Sequence, residues 1–370
     1  MNIDREIKKI INEAVNDSIF PDVSVGLYYK ENDYFKKSLV SACNVTDKRV
    51  VNVLNNYLIY DIASLTKPLA TVLIVLSLIK EGKLRLTDKL SDIFNSKIIP
   101  GEKSSITIEQ LLSHSAGFPA HKPYFKELVN KSMTSRKDVL FKLLIEEELV
   151  YQPGSKVIYS DLGYMLLGLI IEWVSGTSLD SYLSIKILSP LNLSDSLFFN
   201  IDNSKVSEPD LFAPVEDCPW RGRVLIGEVS DENCWIIGGV AGHAGLFGNI
   251  SGVLDLTAVI LDIWKGRVEH PNINRKDLND FLKRRTTIKE NTWALGFDTP
   301  TKGQSSSGKY LSPDSVGHLG FTGTSFWIDP QRELAIVLLS NRVHPSRENE
   351  LIREFRPYFH DRVVEILGLQ

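Results

Sequence analysis

Ser64 and Lys67 stand three residues apart in DIASLTKPLATVLIVLSLIKEG, a stretch that begins at Asp61. Residues three apart on a helix share a face, so a helical segment brings this hydroxyl and this amine together. Pro68 says where the helix begins. A proline inside a helix removes one hydrogen bond and clashes with the carbonyl four residues earlier, here that of Ser64. In the first turn it is tolerated. The helix is therefore expected to start at about Ser64, with the hydroxyl at the positive end of the helix dipole. Dipole and burial both disfavour an ammonium, so a partly neutral Lys67 is expected. A neutral amine beside a hydroxyl can act as a base and make an alkoxide-like nucleophile. Serine at a helix start is also an ordinary cap, and S-x-x-K recurs by chance, so the pair alone does not decide.

The company it keeps does. YQPGSKVIYSDLGYMLLG carries Tyr159-Ser160-Asp161 ahead of an apolar helix, and VGHLGFTGTSFWIDP carries His318-Leu319-Gly320 on a strand. Serine, then a Y-x-N variant, then a [K/H]-x-G strand, in that order, resembles the penicillin-recognising serine hydrolases. These are the class C β-lactamases, DD-peptidases, D-aminopeptidases and related esterases. ITIEQLLSHSAGFP and GGVAGHAGLFGN are similar to further segments of that family, and the resemblance runs from about Val23 to about Val343. It implies a β-lactamase/transpeptidase-like fold.

The resemblance also implies roles. Ser64 would be the nucleophile that forms an acyl-enzyme, and Lys67 would help deprotonate it. Tyr159 would be the second acid/base group, its phenol near both, with a cationic Lys67 lowering the cost of tyrosinate. The backbone N–H groups of Ser64 and Phe321 would form the oxyanion hole. Gly320 would keep a Cβ away from the substrate. His318, Leu319 and Asp161 would line the substrate. Asp161 departs from the usual asparagine: an amide can donate to a substrate carbonyl, a carboxylate can only accept. Asp161 could pair with Lys67 instead and hold it cationic. That weakens a strong β-lactamase and leaves ester, lactone or amine-bearing substrates open.

The elements that must position these residues follow from periodicity. Ile3, Ile7, Ile10, Ile11 and Val15 trace one face of an amphipathic helix. DVSVGLYYKEND and YFKKSLVSACNV read as paired strands. Helix starts are expected at Thr87 and Thr107. LFAPVEDCPWRGRVLIGEVSDENC reads as a long irregular segment. HLGFTGTSFWID and LAIVLLSNRV read as two strands joined by the turn PQRE, before a closing amphipathic helix. Strands at both ends around a helical middle argue for an α+β fold with an antiparallel sheet. Residues 1–83 plus 234–370 would form the sheet lobe, residues 84–233 an inserted, mostly helical lobe, with the site in the cleft between them.

Composition bounds the rest. The chain has 370 residues, 43% of them hydrophobic and 24% charged, and a net charge of −4 with the two signs interleaved. No basic footprint of a nucleic-acid binder is present. Asp4 and Glu6 stand where a secretory signal would be basic, and Cys43, Cys218 and Cys234 have no pairing pattern, reading as buried free thiols. A cytoplasmic protein is expected, or a periplasmic one if a leader was removed. His114 and His243 match no zinc spacing and read as structural, so no metal or organic cofactor is expected. Trp220, Trp235 and Phe321 could wall an acyl pocket or pack in the core. The leading reading is a Ser64 acyl-enzyme hydrolase of a small ester, lactone or D-amino-acid amide. A DD-carboxypeptidase or class C-like β-lactamase is the alternative, and a non-catalytic binding protein on the same scaffold is the alternative of another class. An α/β-hydrolase would need a G-x-S-x-G elbow, and LSHSAG lacks its first glycine.

Overall fold

The computed structural model describes residues 2–44, 58–94, 98–200, 209–289, 291–303 and 305–370. Val45, which ends the second strand segment read above, and residues 46–57, 95–97, 201–208, 290 and 304 of the two expected lobes lie outside the described residues. Strands β1 (Asp22–Glu31), β2 (Tyr34–Cys43), β8 (Val316–Leu319), β9 (Ser325–Asp329) and β10 (Leu334–Ser340) form a five-stranded antiparallel sheet in the order β2-β1-β10-β9-β8. The two ends of the chain thus meet in one sheet, Val23 facing Ser340 and Tyr29 facing Leu334.

Both faces of the sheet are covered, and the period-2 pattern of β10 shows it. Leu334, Ile336 and Leu338 pack with Ile7 and Ile11 of helix α1 (Ile3–Asn16) and with the closing helix (Ile352–Leu367). Ala335, Val337 and Leu339 join the larger core on the other face. There helix Ile250–Lys265 lies so close to β1 that a Cβ on Gly26 would stand 3.2 Å from Ile250 and Leu254.

Three segments differ from the expectation. HLGFTGTSFWID is two strands, β8 and β9, because residues 320–324 make a tight turn in which Gly320 N–H donates to Thr324 O at 2.7 Å. The helix expected at Thr87 starts at Leu90, where the Asp92 carboxylate accepts the Lys89 N–H. The Thr107 start is present, closed by a capping box with Gln110. Within the segment read as irregular, Pro214–Cys218 and Arg223–Ile226 pair as strands β5 and β6.

Two short strands frame the nucleophile segment. Tyr60–Asp61 (β3) and Leu197–Phe199 (β4) flank Leu246–Gly248 (β7). From β3 the chain turns directly into helix α2 (Ala63–Lys80). Length and apolar composition would let α2 cross a membrane, but 83% of it is buried inside the fold, so it is the core helix. Its first half is wound as a wide π-type turn from Lys67 to Val72 that contains Pro68. Such turns recur at functional sites.

The helix Asp161–Ser175, opened by the Ser160 side chain, crosses the loop after Gly238 at a glycine-on-glycine contact. A Cβ on Gly242 would stand 2.1 Å from Tyr164 O and 2.8 Å from Gly168 N. Backbone cannot yield that much, so overpacking here must push the loop off the helix. Gly242→Ala is expected to destabilise the protein by about 3 kcal/mol, read as a lower urea midpoint at an unchanged slope.

Candidate active site

Asp61 builds the turn that presents Ser64. Its buried carboxylate accepts the Ala63 N–H at 2.8 Å and the Ser230 N–H at 2.7 Å. Burial pushes its pKa up to about 6 against those two hydrogen bonds. Ala63 is held at a φ of +48°, in the left-handed region that costs a residue with a Cβ about 1 kcal/mol. The strain lies one residue before Ser64, where such strain is often stored. Ser64 itself is partly exposed and Lys67 fully buried.

Lys67 Nζ donates to Ser64 Oγ at 3.0 Å and to His243 O at 3.0 Å, and pairs with Asp161 Oδ1 at 2.8 Å. The ammonium also lies 4.9 Å from the centre of the Tyr159 ring, whose phenol is in hydrogen-bonding reach of Ser64 and Lys67. The fold thus brings Ser64, Lys67, Tyr159 and Asp161 together. Burial works against the Lys67 ammonium, but Asp161 and Tyr159 outweigh it and raise its pKa. Of the two charge states weighed for Lys67, the ammonium held by Asp161 prevails over the partly neutral amine, because the carboxylate supplies a counter-charge at contact. Burial also raises the Tyr159 phenol; the Lys67 charge lowers it, and Asp161 takes part of that back. Net, the resting phenol is neutral. The Asp161 carboxyl is pushed up by burial yet held well below the usual range by Lys67, with His121 and His243 adding to it.

His318 lies on β8 facing Tyr159, ring centres 5.9 Å apart, and its Nδ1 is 2.8 Å from Leu319 O. Burial, aided by the Lys67 charge, pushes its pKa down to about 3, so it is a neutral imidazole. Nδ1 must then carry the proton, leaving buried Nε2 as an acceptor with no partner among the described residues. A lysine at this position would carry charge and donate into the site; neutral His318 carries none, and its one N–H is spent on Leu319 O. Gly320 is needed for the turn itself. A Cβ there would meet Thr324 Oγ1 at 2.0 Å and Ile62 O at 2.8 Å, so glycine admits the turn onto the segment before Ser64. The turn is tied there by Thr322 Oγ1 donating to Asp61 O (2.7 Å) and Thr324 Oγ1 to Ile62 O (3.0 Å). None of the described hydrogen bonds uses the N–H of Ser64 or of Phe321.

The two histidines set aside as structural tie loops together. His243 Nε2 lies 2.9 Å from Asp231 Oδ1. His114 Nδ1 accepts the Ser160 N–H at 3.1 Å, and its ring lies 4.6 Å from that of Tyr159. Burial holds His114 neutral, so it buttresses the tyrosine without charge. Among the described residues no group of three or more His, Cys, Asp or Glu could hold a metal. Cys218 and Cys234 are buried thiols, whereas Cys43 is only partly buried. Of the aromatic walls considered, Trp220 and Trp235 pack edge to face at 5.5 Å, and Phe321 is 47% exposed beneath Arg342 and Arg347. The aromatic ring at the centre is one the sequence did not single out: Trp293, 5.4 Å from Tyr159 and 5.5 Å from His318. Its segment, NTWALGFD, carries no motif; only D-x-A before Ser64, able to form an Asx turn, could have announced Asp61.

The Lys67–Asp161 pair makes a prediction. Asp161→Asn leaves Lys67 buried without a counter-charge and should cost about 3 kcal/mol at pH 7. Because the folded carboxyl pKa is depressed, its stabilisation is complete above the unfolded value of about 3.9 and is lost as pH falls through the folded one. The gap between wild type and variant in urea unfolding should therefore shrink below about pH 4, and adding Lys67→Met should recover most of it.

The profile of the Beta-lactamase family matches residues 9–356. A protein of Salmonella agona named "Putative D-alanyl-D-alanine carboxypeptidase" is 34% identical over 313 residues, covering 78% of this chain and 71% of that protein. Two solved structures share the fold. The octameric penicillin-binding protein homologue of Pyrococcus abyssi has a TM-score of 0.70 at 21% identity, over 100% of this chain and 78% of that one. EstCE1, described as a hydrolase with promiscuous acyltransferase activity, has a TM-score of 0.68 at 19% identity, over 96% and 98%. With a serine, a lysine and a tyrosine converging on one point of this fold, the chain belongs to the Beta-lactamase family and is a serine hydrolase.

Proposed function

We propose that Ser64 forms an acyl-enzyme with a small ester or a D-amino-acid amide and that water then releases the acid. The observation that carries this is the Lys67 contact to Ser64 Oγ, with the Tyr159 phenol in reach of both. In this reading the carbonyl oxygen sits between the N–H groups of Ser64 and Phe321, which stabilise the charge that develops there. In this reading the described part of residues 84–233 is the lobe that faces it across the site. Asp161 is committed to Lys67 and can donate nothing to a substrate amide, which disfavours a strong β-lactamase. A second reading, a DD-carboxypeptidase, is favoured by the name of the Salmonella relative. It is the same acyl transfer with a D-alanine amide as leaving group.

At neutral pH the site holds an ammonium and a neutral phenol, so one proton must leave the Lys67–Tyr159 pair before Ser64 can be deprotonated. Both groups titrate above their ordinary values. Acylation should therefore rise with pH through the neutral range, about tenfold per unit, with no plateau below about pH 9. Asp161 raises both groups, so Asp161→Asn should move this limb to lower pH and increase kcat/KM at pH 7. An unmoved limb would exclude Asp161 from setting the base.

The first test is the intact mass of the protein after incubation with benzylpenicillin and with p-nitrophenyl acetate, Ser64→Ala run alongside. One acyl mass on wild type and none on the variant is the expected result. A penicilloyl adduct that persists for hours supports the carboxypeptidase reading; acetylation alone supports the esterase. Tyr159→Phe should lower the acylation rate by 10²–10⁴. An adduct that survives Ser64→Ala overturns the assignment of the nucleophile.

A further inference from the structure

Arg356 is a buried guanidinium on the closing helix, and among the described residues no carboxylate pairs with it. Burial and the neighbouring Arg342 push its pKa down to about 9, which leaves it charged at neutral pH. Desolvating a charge without a counter-ion is costly, so what it touches matters. One nitrogen, Nη2, donates to Gly320 O at 2.9 Å and to Thr324 O at 2.8 Å. Gly320 O and the Phe321 N–H belong to the same peptide group. A cation hydrogen-bonded to a peptide oxygen draws electron density toward it and makes the N–H at the other end a stronger donor.

Arg342 holds the same turn differently. Its Nε donates at 2.9 Å to Phe321 O, which belongs to the following peptide and polarises the N–H of Thr322 instead. Its Nη1 donates to Arg347 O and Asn349 O. Two arginines thus brace one turn, but only one lies on the peptide that faces the substrate carbonyl.

We infer that Arg356 is a positioning residue that acts through the Gly320–Phe321 peptide, strengthening the Phe321 N–H as an oxyanion donor. The inference rests on the acyl-enzyme reading above. A purely structural brace would make Arg356 and Arg342 equivalent; polarisation makes them different.

The test compares Arg356→Gln, Arg356→Lys and Arg342→Gln with wild type, after acetylation by p-nitrophenyl acetate labelled with ¹³C at the acyl carbonyl. Difference infrared spectroscopy reads the acyl carbonyl stretch, and the deacylation rate is followed in the same samples. Arg356→Gln should raise the stretching frequency and slow deacylation by about tenfold, part of the 10²–10³ lost when an oxyanion donor is removed outright. Its KM should change little. Arg356→Lys, which keeps the charge, should recover most of both. Arg342→Gln should leave the frequency at the wild-type value. If Arg356→Gln does not fold, judged by its thermal transition, Arg356→Lys against Arg342→Lys is the comparison: a small residual rise for Arg356→Lys alone is expected, and an equal or larger shift for Arg342→Lys overturns the inference. Equal shifts for Arg356→Gln and Arg342→Gln, or none for Arg356→Gln, also overturn it while the acyl-enzyme reading stands. No acetyl adduct on wild type would overturn that reading and this inference with it.

Discussion

Lys67 is a fully buried ammonium, and a charge taken out of water must be met by oxygens from whatever segments can reach it. Here they come from four places in the sequence. Ser64 lies on its own helix, Asp161 opens another helix, the His243 carbonyl belongs to a glycine-rich loop, and Tyr159 presents its ring from the segment between. Satisfying one cation therefore fixes the mutual position of the Ser64 helix, the Tyr159–Asp161 segment and the glycine-rich loop. Much of the surrounding structure is support for that requirement. Gly242 lets the loop approach the helix that starts at Asp161, and His114 holds the start of that helix through the Ser160 N–H.

The same constraint explains the charge states. With an amide at position 161, no carboxylate at contact would oppose the desolvation of Lys67. With a carboxylate, the ammonium wins and the neighbouring phenol stays neutral. His318 completes the contrast, being neutral where a lysine would add a second cation beside the first. The site thus keeps one cation, one anion and several neutral acid/base groups in contact. The proton inventory, more than the identity of the nucleophile, separates this arrangement from one with asparagine and lysine at those positions.

On the other side of the site, the 320–324 turn is gripped from several directions. Thr322 and Thr324 bind it to the segment before Ser64, while Arg342 and Arg356 hold its carbonyls. The two N–H groups that would face a substrate oxygen, on Ser64 and Phe321, are thereby tied to one another through Asp61 and Ile62. Asp61 is the common point, since its side chain shapes the strained Ala63 turn and its carbonyl accepts from Thr322.

Local periodicity and Pro68 were enough to read the sheet's two ends, the α+β class and the helix that opens at Ser64. The residues brought together at the site were legible only through the resemblance that the three motifs carry, with Asp161 as its visible departure. Tertiary packing settled that Lys67 is cationic, that Tyr159 is neutral, and that Gly320 makes room for Thr324 and the backbone of Ile62. It alone brought Trp293, Asp61 and Arg356 to the site. The reason is physical: a pKa depends on desolvation and on charges that arrive from distant segments. A buried arginine on the last helix, likewise, has no pattern in sequence that names the carbonyl it will find.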